Sequence, residues 1–410
     1  MRQFEATHRG LPLGFAVPDG PRVGGIRLRA LIAAIMRDEK KTLSLMRAGV
    51  AGDRSAFDRF VVAVDDLAAG DYAQAADGFA GLTATDDWRV AASTLQVLAL
   101  AAAGELRPAV ALINRAKDYV STLALAGAAG HGADAALLNE GVRSLQRAEA
   151  VSPEPTEKLQ IDGLFRYVIS YPRSGTTYLQ QFLQYAFATP GYTVYPASGR
   201  YFSRRFYERA PGHAVFIKDH VLQPEYLTEA ILAPVRDGRY AIVSLARFLY
   251  AEGSHGFVKR GELADFISFV AERMPYGTWG GHTNALLDAR ERGARIRLVR
   301  YEEVIGNYQG LLALARELAE GAPIPRVDKA GYDAFVVAEK RRLAQRREWS
   351  EGLPLPEDSY VPSNWSVGGE TIDWRRAFDA PARRRFHELG GTEALIRLGY
   401  ETDEDWWRQS

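Results

Sequence analysis

The sequence predicts an α/β fold: an open parallel sheet flanked by helices and carrying a P-loop-like phosphate-binding turn, preceded by an all-helical region. Three observations carry that prediction. Beyond residue 160, short β-rich runs alternate with helical patterns, as expected of strands buried on both faces by crossover helices. The first of these runs passes through a glycine turn into an amphipathic stretch. Before residue 150, alanine and leucine dominate, and most of the tyrosine, tryptophan and proline lies further on.

Composition bounds the function. The 410 residues suit two or three domains, or one large domain and a smaller one. Hydrophobic residues at 47% and charged residues at 25% give an ordinary globular mix and exclude a largely disordered chain. Lysine plus arginine total 51, and so do aspartate plus glutamate. A formal charge of zero argues against a general polyanion binder, so no nucleic-acid partner is expected, while a local basic pocket stays open. The absence of cysteine removes disulfides, thiolate chemistry and cysteine-ligated zinc. The amino terminus lacks the basic-then-apolar pattern of a secretory leader, and the apolar stretch around Val97–Ala103 is too short and interrupted to span a bilayer. The expected compartment is the cytoplasm.

Residues 1–150 read as helical. Met1–Gly25 has no clear period and reads as an irregular arm. Gly70-Asp71-Tyr72 is followed by Ala75, Ala76 and Phe79. Gly104-Glu105-Leu106, 34 residues later, is followed by Ala109, Val110 and Ile113 at the same offsets. A 34-residue helix–turn–helix period resembles the tetratricopeptide (TPR) repeat, with small alanines allowing close helix approach. A plain alanine-rich bundle with a chance echo is the alternative. The two prolines of Val151-Ser-Pro-Glu-Pro-Thr-Glu157 stop a helix and favour extended backbone, so residues 151–159 read as a linker.

From residue 160 to 410 the sequence reads as one α/β domain. Strands are expected at Leu164–Ser170, Ala214–Lys218, Tyr240–Leu245 and Ile296–Arg300. Helices are expected at Tyr178–Phe187, Leu263–Glu272, Thr283–Arg292 and Leu311–Glu320. Ligands of such sheets sit at the carboxyl ends of the strands, so the residues just after each strand are the candidates for chemistry.

After the first strand comes Tyr171-Pro-Arg-Ser-Gly-Thr-Thr-Tyr-Leu179. A strand, a tight turn at Gly175 and a helix starting near Thr176 would aim backbone N–H groups at one point, reinforced by the helix dipole. Thr176 and Thr177 add hydroxyl donors, and Arg173 adds a fixed charge with a planar donor fork. An ordinary helix cap at Ser174 or Thr176 is the bland alternative. The G-x-x-x-x-G-K-[ST] spacing of ATP and GTP loops is absent.

This stretch resembles the 5′-phosphosulfate loop of cytosolic-type sulfotransferases, commonly Y-P-K-S-G-T-T-W-L, which use 3′-phosphoadenosine 5′-phosphosulfate (PAPS) and release PAP. The resemblance implies that Arg173, Ser174, Gly175, Thr176, Thr177 and Tyr178 bind PAPS, with Arg173 in place of the family's usual lysine. Val215-Phe-Ile-Lys-Asp-His220 resembles the family's K-T-H element. A period of two puts Lys218 and His220 on one side if the strand persists. His220, with an ordinary pKa of about 6.5, suits a base that deprotonates an acceptor hydroxyl. Lys218 and Arg173 would stabilise the transferring group and the leaving phosphate. A surface or capping histidine is the alternative for His220.

Ser244-Leu-Ala-Arg247 through Ser254-His255 resembles the 3′-phosphate element, in which an arginine follows the strand and a serine lies eight residues later. Arg247 and Ser254 are the candidates, and His255 is a rival to Ser254. Tyr276-Gly-Thr-Trp-Gly-Gly-His282 resembles Y-G-S-W-x-x-H, and Val299-Arg-Tyr-Glu-Glu-Val304 resembles F-Y-E-D-L. The latter implies Tyr301 near the adenine and Glu302 holding local structure. Asn364–Trp374 resembles the C-terminal R-K-G-x-x-G-D-W, but Val367 and Gly368 stand in place of the basic pair. Arg375, Arg376 or the run Lys340–Arg347 are the replacement charges.

The resemblance covers roughly residues 160–400 and implies in-line sulfuryl transfer from PAPS to a hydroxyl acceptor, with no metal. Two other readings stay open: a nucleotide-dependent kinase on a related loop, and a TPR interaction protein with a degenerate transferase domain. Tyr195, Tyr201, Phe202 and Phe206 are read equally as walls of an acceptor cleft, for a small-molecule, lipid, glycan or peptide hydroxyl, and as core packing. The helical half offers a surface for a protein acceptor or for dimerisation.

Overall fold

The computed structural model describes residues 22–23, 26–27, 54–83, 89–125, 131–153, 158–162, 165–195, 199–210, 215–251, 263–319, 324, 326, 328–334, 337 and 374–408. The chain divides into two compact units, residues 1–160 with 195–208, and residues 161–194 with 209–410. Most of the amino-terminal arm, linker positions 154–157, the basic run 340–347 and the Asn364–Asp373 element lie outside the described residues.

The first unit contains α1 (Arg54–Ala69), α2 (Tyr72–Ala80), α3 (Arg89–Ala102), α4 (Leu106–Leu125) and α5 (His131–Val151). The last of these runs one residue into the expected linker. The sequence echo marks two helix–turn–helix pairs. Gly70 joins α1 to α2 at φ 94° and Gly104 joins α3 to α4 at φ 82°, a left-handed backbone that side-chain-bearing residues avoid. The echoed side chains Ala75, Ala76 and Phe79, and Ala109, Val110 and Ile113, are all buried. The ring of Phe79 meets that of Phe60 edge-on at 6.2 Å.

The same unit holds residues 195–208 through polar contacts. The Asn114 amide donates to the Tyr201 carbonyl at 3.0 Å and accepts from the Tyr201 N–H at 2.6 Å, pairing with that backbone as a strand would. It also donates to the Tyr207 hydroxyl at 2.7 Å. Glu149 accepts from the Tyr201 and Ser203 hydroxyls, and Arg200 forks onto Asp118 at 2.9 and 2.7 Å. Tyr201, Phe202 and Phe206 are 2% exposed or less. Tyr201, Phe202 and Phe206 therefore pack in the core, the second of their two readings, while Tyr195 is half-buried.

In the second unit, the strands are β1 (Phe165–Ile169), β2 (Tyr192–Thr193), β3 (Val215–Asp219), β4 (Ala230–Val235) and β5 (Ile296–Arg300). They are hydrogen-bonded in the order β5-β4-β1-β3-β2, and each of these pairings is parallel. Ile169 faces Asp219 and Val235 faces Arg300. The carboxyl ends of β1, β3, β4 and β5 therefore open on one edge. Helices α6 (Thr176–Phe187), α7 (Gly238–Ala251), α8 (Leu263–Arg273), α9 (Trp279–Glu291) and α10 (Tyr308–Ala319) accompany the sheet. Beyond them, α11 (Ala380–Glu388) and α12 (Gly391–Arg397) add to a core in which Trp279 stacks on Phe386 at 5.6 Å. Among the described residues no helix is long and apolar enough to cross a membrane.

One element overturns its expectation. Tyr240–Leu245, expected as a strand, lies within α7, and the third long strand is Ala230–Val235 instead. A short β-branched run suits either period, and burial decides between them. Ala241, Ile242, Leu245 and Leu249 line one helical face and join a buried cluster with Phe266, Trp279 and Leu395. Pro234 argued against a strand at 230–235, since proline lacks a donor. It is tolerated because the pairing of β4 with β1 stops at Leu232.

Replacing Asn114 by alanine leaves the Tyr201 N–H and C=O buried without their partner. The expected loss is about 2–4 kcal/mol of unfolding free energy, read by urea denaturation; a loss under 0.5 kcal/mol would mean that this amide does not hold the segment.

Candidate functional site

The site is built on the turn between β1 and α6. Arg173 has φ 70° and Gly175 has φ 92°, so two left-handed residues flank Ser174. Gly175 is required twice over. Its φ disfavours a side chain, and a Cβ there would lie 2.4 Å from Cδ2 of Tyr301. Gly175 is itself the N-cap of α6, and no side chain caps that end. The first N–H groups of the helix are therefore left for a partner outside the helix, at its positive end. Thr176 does not act as a cap; its hydroxyl is hydrogen-bonded to that of Ser170, at the end of β1.

Beside the turn stand the residues that end β3. The Lys218 ammonium, 9% exposed, donates to the Thr177 hydroxyl at 2.8 Å. The His220 ring places Nδ1 at 2.8 Å from the Ser170 carbonyl. A carbonyl only accepts, so Nδ1 carries the proton and the neutral ring keeps its lone pair on Nε2. Burial, then the Lys218 charge, pushes this imidazole down from its ordinary value to about 3, against the opposing pull of the Ser170 carbonyl. The ring is thus a neutral acceptor throughout the physiological range. The expectation of a histidine titrating near 6.5 is corrected, because a charged imidazole here would lose hydration beside a cation.

His220 also meets the Tyr276 ring edge-on, with centroids 6.3 Å apart, and Tyr276 meets Tyr171 at 5.5 Å. His282, 7% exposed, packs against Tyr171 at 5.9 Å and lies against the His220 backbone. Burial pushes this second imidazole down to about 4. The Tyr276–His282 element is otherwise structural: Thr278 caps α9 by accepting from the Gly281 N–H at 2.9 Å, and Trp279 is core.

The structure moves the third long strand, and with it the residues that directly follow a strand end. Arg247 lies near the end of α7, not at a strand end, and Ser254 and His255 are outside the described residues. The residue that follows the strand is Arg236, and eight positions later comes Ser244. Both reach the turn. Arg236 donates to the Arg173 carbonyl at 3.4 Å, its guanidinium lies 4.6 Å from the Tyr301 ring centroid, and the Ser244 hydroxyl accepts from Arg173 Nε at 3.0 Å. The signal was present in the sequence as Arg236 and Ser244 at the sought spacing; placing the strand ten residues late hid it.

Neighbouring contacts fix the Arg236 loop. Glu302 accepts from the Asp237 N–H at 3.4 Å and from the Tyr400 hydroxyl at 2.7 Å. Arg239, 5% exposed, is bound by Asp237 and Glu401 and lies between the rings of Trp374 and Trp406 at 4.3 and 4.9 Å. That charge is compensated and structural. Tyr178 turns its hydroxyl to that of Tyr332 at 2.7 Å and to the Gly306 N–H at 3.3 Å. Arg375 is exposed and lies over Trp374 at 4.8 Å. The structure thus gathers Arg173, Ser174, Gly175, Thr176, Thr177, Tyr178, Lys218, His220 and Tyr301, and adds Arg236 and Ser244. Among the described residues no group of three His, Asp or Glu side chains could hold a metal ion.

No family model matches the chain, and no curated protein matches its sequence. Among solved structures it is similar to mouse sulfotransferase SULT7A1 complexed with PAP, at 18% identity and a TM-score of 0.40, covering 60% of this chain and 87% of that one.

His220 and His282 both bind protons less readily when folded than the ordinary histidine value of about 6.5. Below that pH the unfolded chain takes up protons that the folded chain refuses, so stability is full above it and falls on acidification. The melting temperature should decline from pH 7 to pH 5, and His282→Phe should flatten that decline; equal slopes for the two proteins would refute it.

Proposed function

We propose that the second unit is a sulfotransferase that moves a sulfuryl group from PAPS to a hydroxyl acceptor and releases PAP. One observation carries this reading: a neutral histidine, held through Nδ1 with Nε2 as its acceptor, stands beside a lysine bonded to the uncapped anion turn. An anion turn alone fits any phosphate ligand. The added base and cation fit transfer of a charged group from that ligand to a hydroxyl.

In this reading the acceptor oxygen attacks sulfur as the bond from sulfur to the 5′-phosphate oxygen breaks. The acceptor proton passes to Nε2 of His220, and PAP leaves with the bonding electron pair. The N–H groups of the turn, with Thr176 and Thr177, hold the 5′-phosphate. Lys218 stabilises the sulfuryl oxygens and Arg173 the leaving phosphate. Arginine stays charged at every working pH, so it serves as an electrostatic stabiliser, not as a proton donor. Arg236 and Ser244 hold the 3′-phosphate, with Tyr301 and Tyr178 beside the base.

The helical unit enters the proposal as a tetratricopeptide-like surface, supported by its two glycine-closed helix pairs with matching buried positions. A peptide or protein hydroxyl acceptor fits such a surface; small-molecule, lipid and glycan hydroxyls fit the transferase chemistry equally.

His220→Ala should abolish PAPS-dependent transfer of labelled sulfate while PAP binding by calorimetry stays within about threefold, because the ring serves chemistry and not donor binding. In the unaltered protein the acid limb of kcat/KM should lie well below 6.5. ATP binding tighter than PAP would favour the kinase reading and defeat this one.

Arg236→Ala should weaken PAP binding by about 10- to 100-fold, the worth of a charged hydrogen bond. Binding of adenosine 5′-phosphate, which lacks the 3′-phosphate, should change little. Equal losses for the two nucleotides would remove Arg236 from the 3′-phosphate.

A further inference from the structure

We infer that Asp219, braced by Tyr226, is a positioning residue for His220; the inference rests on the transfer reading above in taking His220 as the base. Lys218 and His220 were expected to share a face through the period of a continuing strand. The strand stops at Asp219, so something else must place the histidine.

Asp219 supplies it. One carboxylate oxygen, Oδ1, accepts from the N–H of His220 at 2.6 Å and from the N–H of Val221 at 3.1 Å. A side chain that takes the N–H two residues on closes an Asx turn and ends the strand. The other oxygen, Oδ2, accepts from the Tyr226 hydroxyl at 2.8 Å. Tyr226 sits in the short 3-10 helix Pro224–Thr228 and stacks on Tyr167, with centroids 4.1 Å apart and planes 19° apart. Asp219 and Tyr226 are each 5% exposed. Burial raises the Asp219 pKa, and the three donors pull against that rise. A buried carboxylate is costly and persists here because its donors satisfy it.

His220 is therefore held at two points. Asp219 fixes its backbone N–H, and the Ser170 carbonyl fixes its ring. Together with the edge-on Tyr276 ring, these contacts set where Nε2 stands relative to Lys218 and the anion turn. The residue between the lysine and the histidine is threonine in the K-T-H element that this stretch resembles, and a hydroxyl cannot accept at two separate oxygens as this carboxylate does.

The test uses the full chain with Asp219→Ala, Asp219→Asn and Tyr226→Phe. The readouts are calorimetric PAP binding, turnover of PAPS with 4-nitrophenol as probe acceptor, and the ¹⁵N shifts of the His220 ring, assigned by comparison with His220→Gln. Asp219→Ala should lower kcat about 100-fold, the scale of an ångström-sized misplacement, with PAP affinity held within about threefold and the ring exchanging between tautomers. Asp219→Asn keeps an oxygen for both N–H groups and should recover kcat to within about fivefold, with the Nδ1–H tautomer restored. Tyr226→Phe should fall between the two. If the alanine variant does not fold, the asparagine and phenylalanine variants still decide, because both conserve volume: a kcat loss in Asp219→Asn above that in Tyr226→Phe overturns the inference. So does an unchanged ring signature in a folded Asp219→Ala, or an equal loss in the alanine and asparagine variants. If the unaltered chain binds PAP but transfers nothing, the transfer reading fails, and the ring tautomer alone then judges whether Asp219 positions His220.

Discussion

Ser170 ties the two halves of the site together. It is fully buried at the end of the central strand. Its carbonyl receives the His220 ring, and its hydroxyl is bonded to that of Thr176, the first residue of α6. A single residue thus couples the orientation of the imidazole to the start of the helix whose N–H groups face outward. Displacing β1 along the sheet would move both at once. The parallel pairing of β1 with β3, which sets Ile169 against Asp219, is what brings Ser170 and His220 within reach.

Charge is distributed by the same edge of the sheet. The chain is neutral as a whole, yet Arg173, Lys218 and Arg236 stand at the carboxyl ends of three adjacent strands. Arg239, three residues beyond Arg236, is compensated by Asp237 and Glu401 and held between tryptophans. The two arginines are thus separated into a structural cation in α7 and one turned to the turn between β1 and α6. Burial, and after it the Lys218 charge, lowers the proton affinity of His220: a second positive charge in a poorly hydrated place beside a cation is unfavourable. The site therefore keeps the ring neutral, which is the state a base needs.

The left-handed backbone at Arg173 belongs to the same economy of space. Tyr301 lies so close over Gly175 that no side chain fits beneath it, and Arg173 turns its guanidinium to Ser244 and to the face of Phe248 at 5.1 Å. The loop between β1 and α6 is thus pressed from above by Tyr301 and drawn sideways by α7. Such strain persists only where surrounding contacts over-determine it, and it is concentrated at sites that bind or react.

The contiguous parts were legible in the sequence. Tyr171–Leu179 is read directly because strand, turn and helix start are consecutive, and each residue's part follows from its neighbours. Lys218 and His220 were legible as a pair, although the strand period is not what aligns them. Segments that fit two periods were not legible: Tyr240–Leu245 has the residues of a strand, and only its burial against Phe266, Trp279 and Leu395 makes it a helix. That choice puts Arg236, and not Arg247, directly after a strand. Residues 195–208 were equally undecided, because aromatic rings serve a cleft or a core alike until Asn114 and Glu149, far away in the chain, claim their backbone and hydroxyls. The sequence by itself determined the chemistry of the turn and the alternation of elements, since both are local. The tertiary structure decided which arginine meets the ligand turn, what holds the histidine and where the aromatic segment lies, since each depends on partners brought together only by the packed sheet and helices.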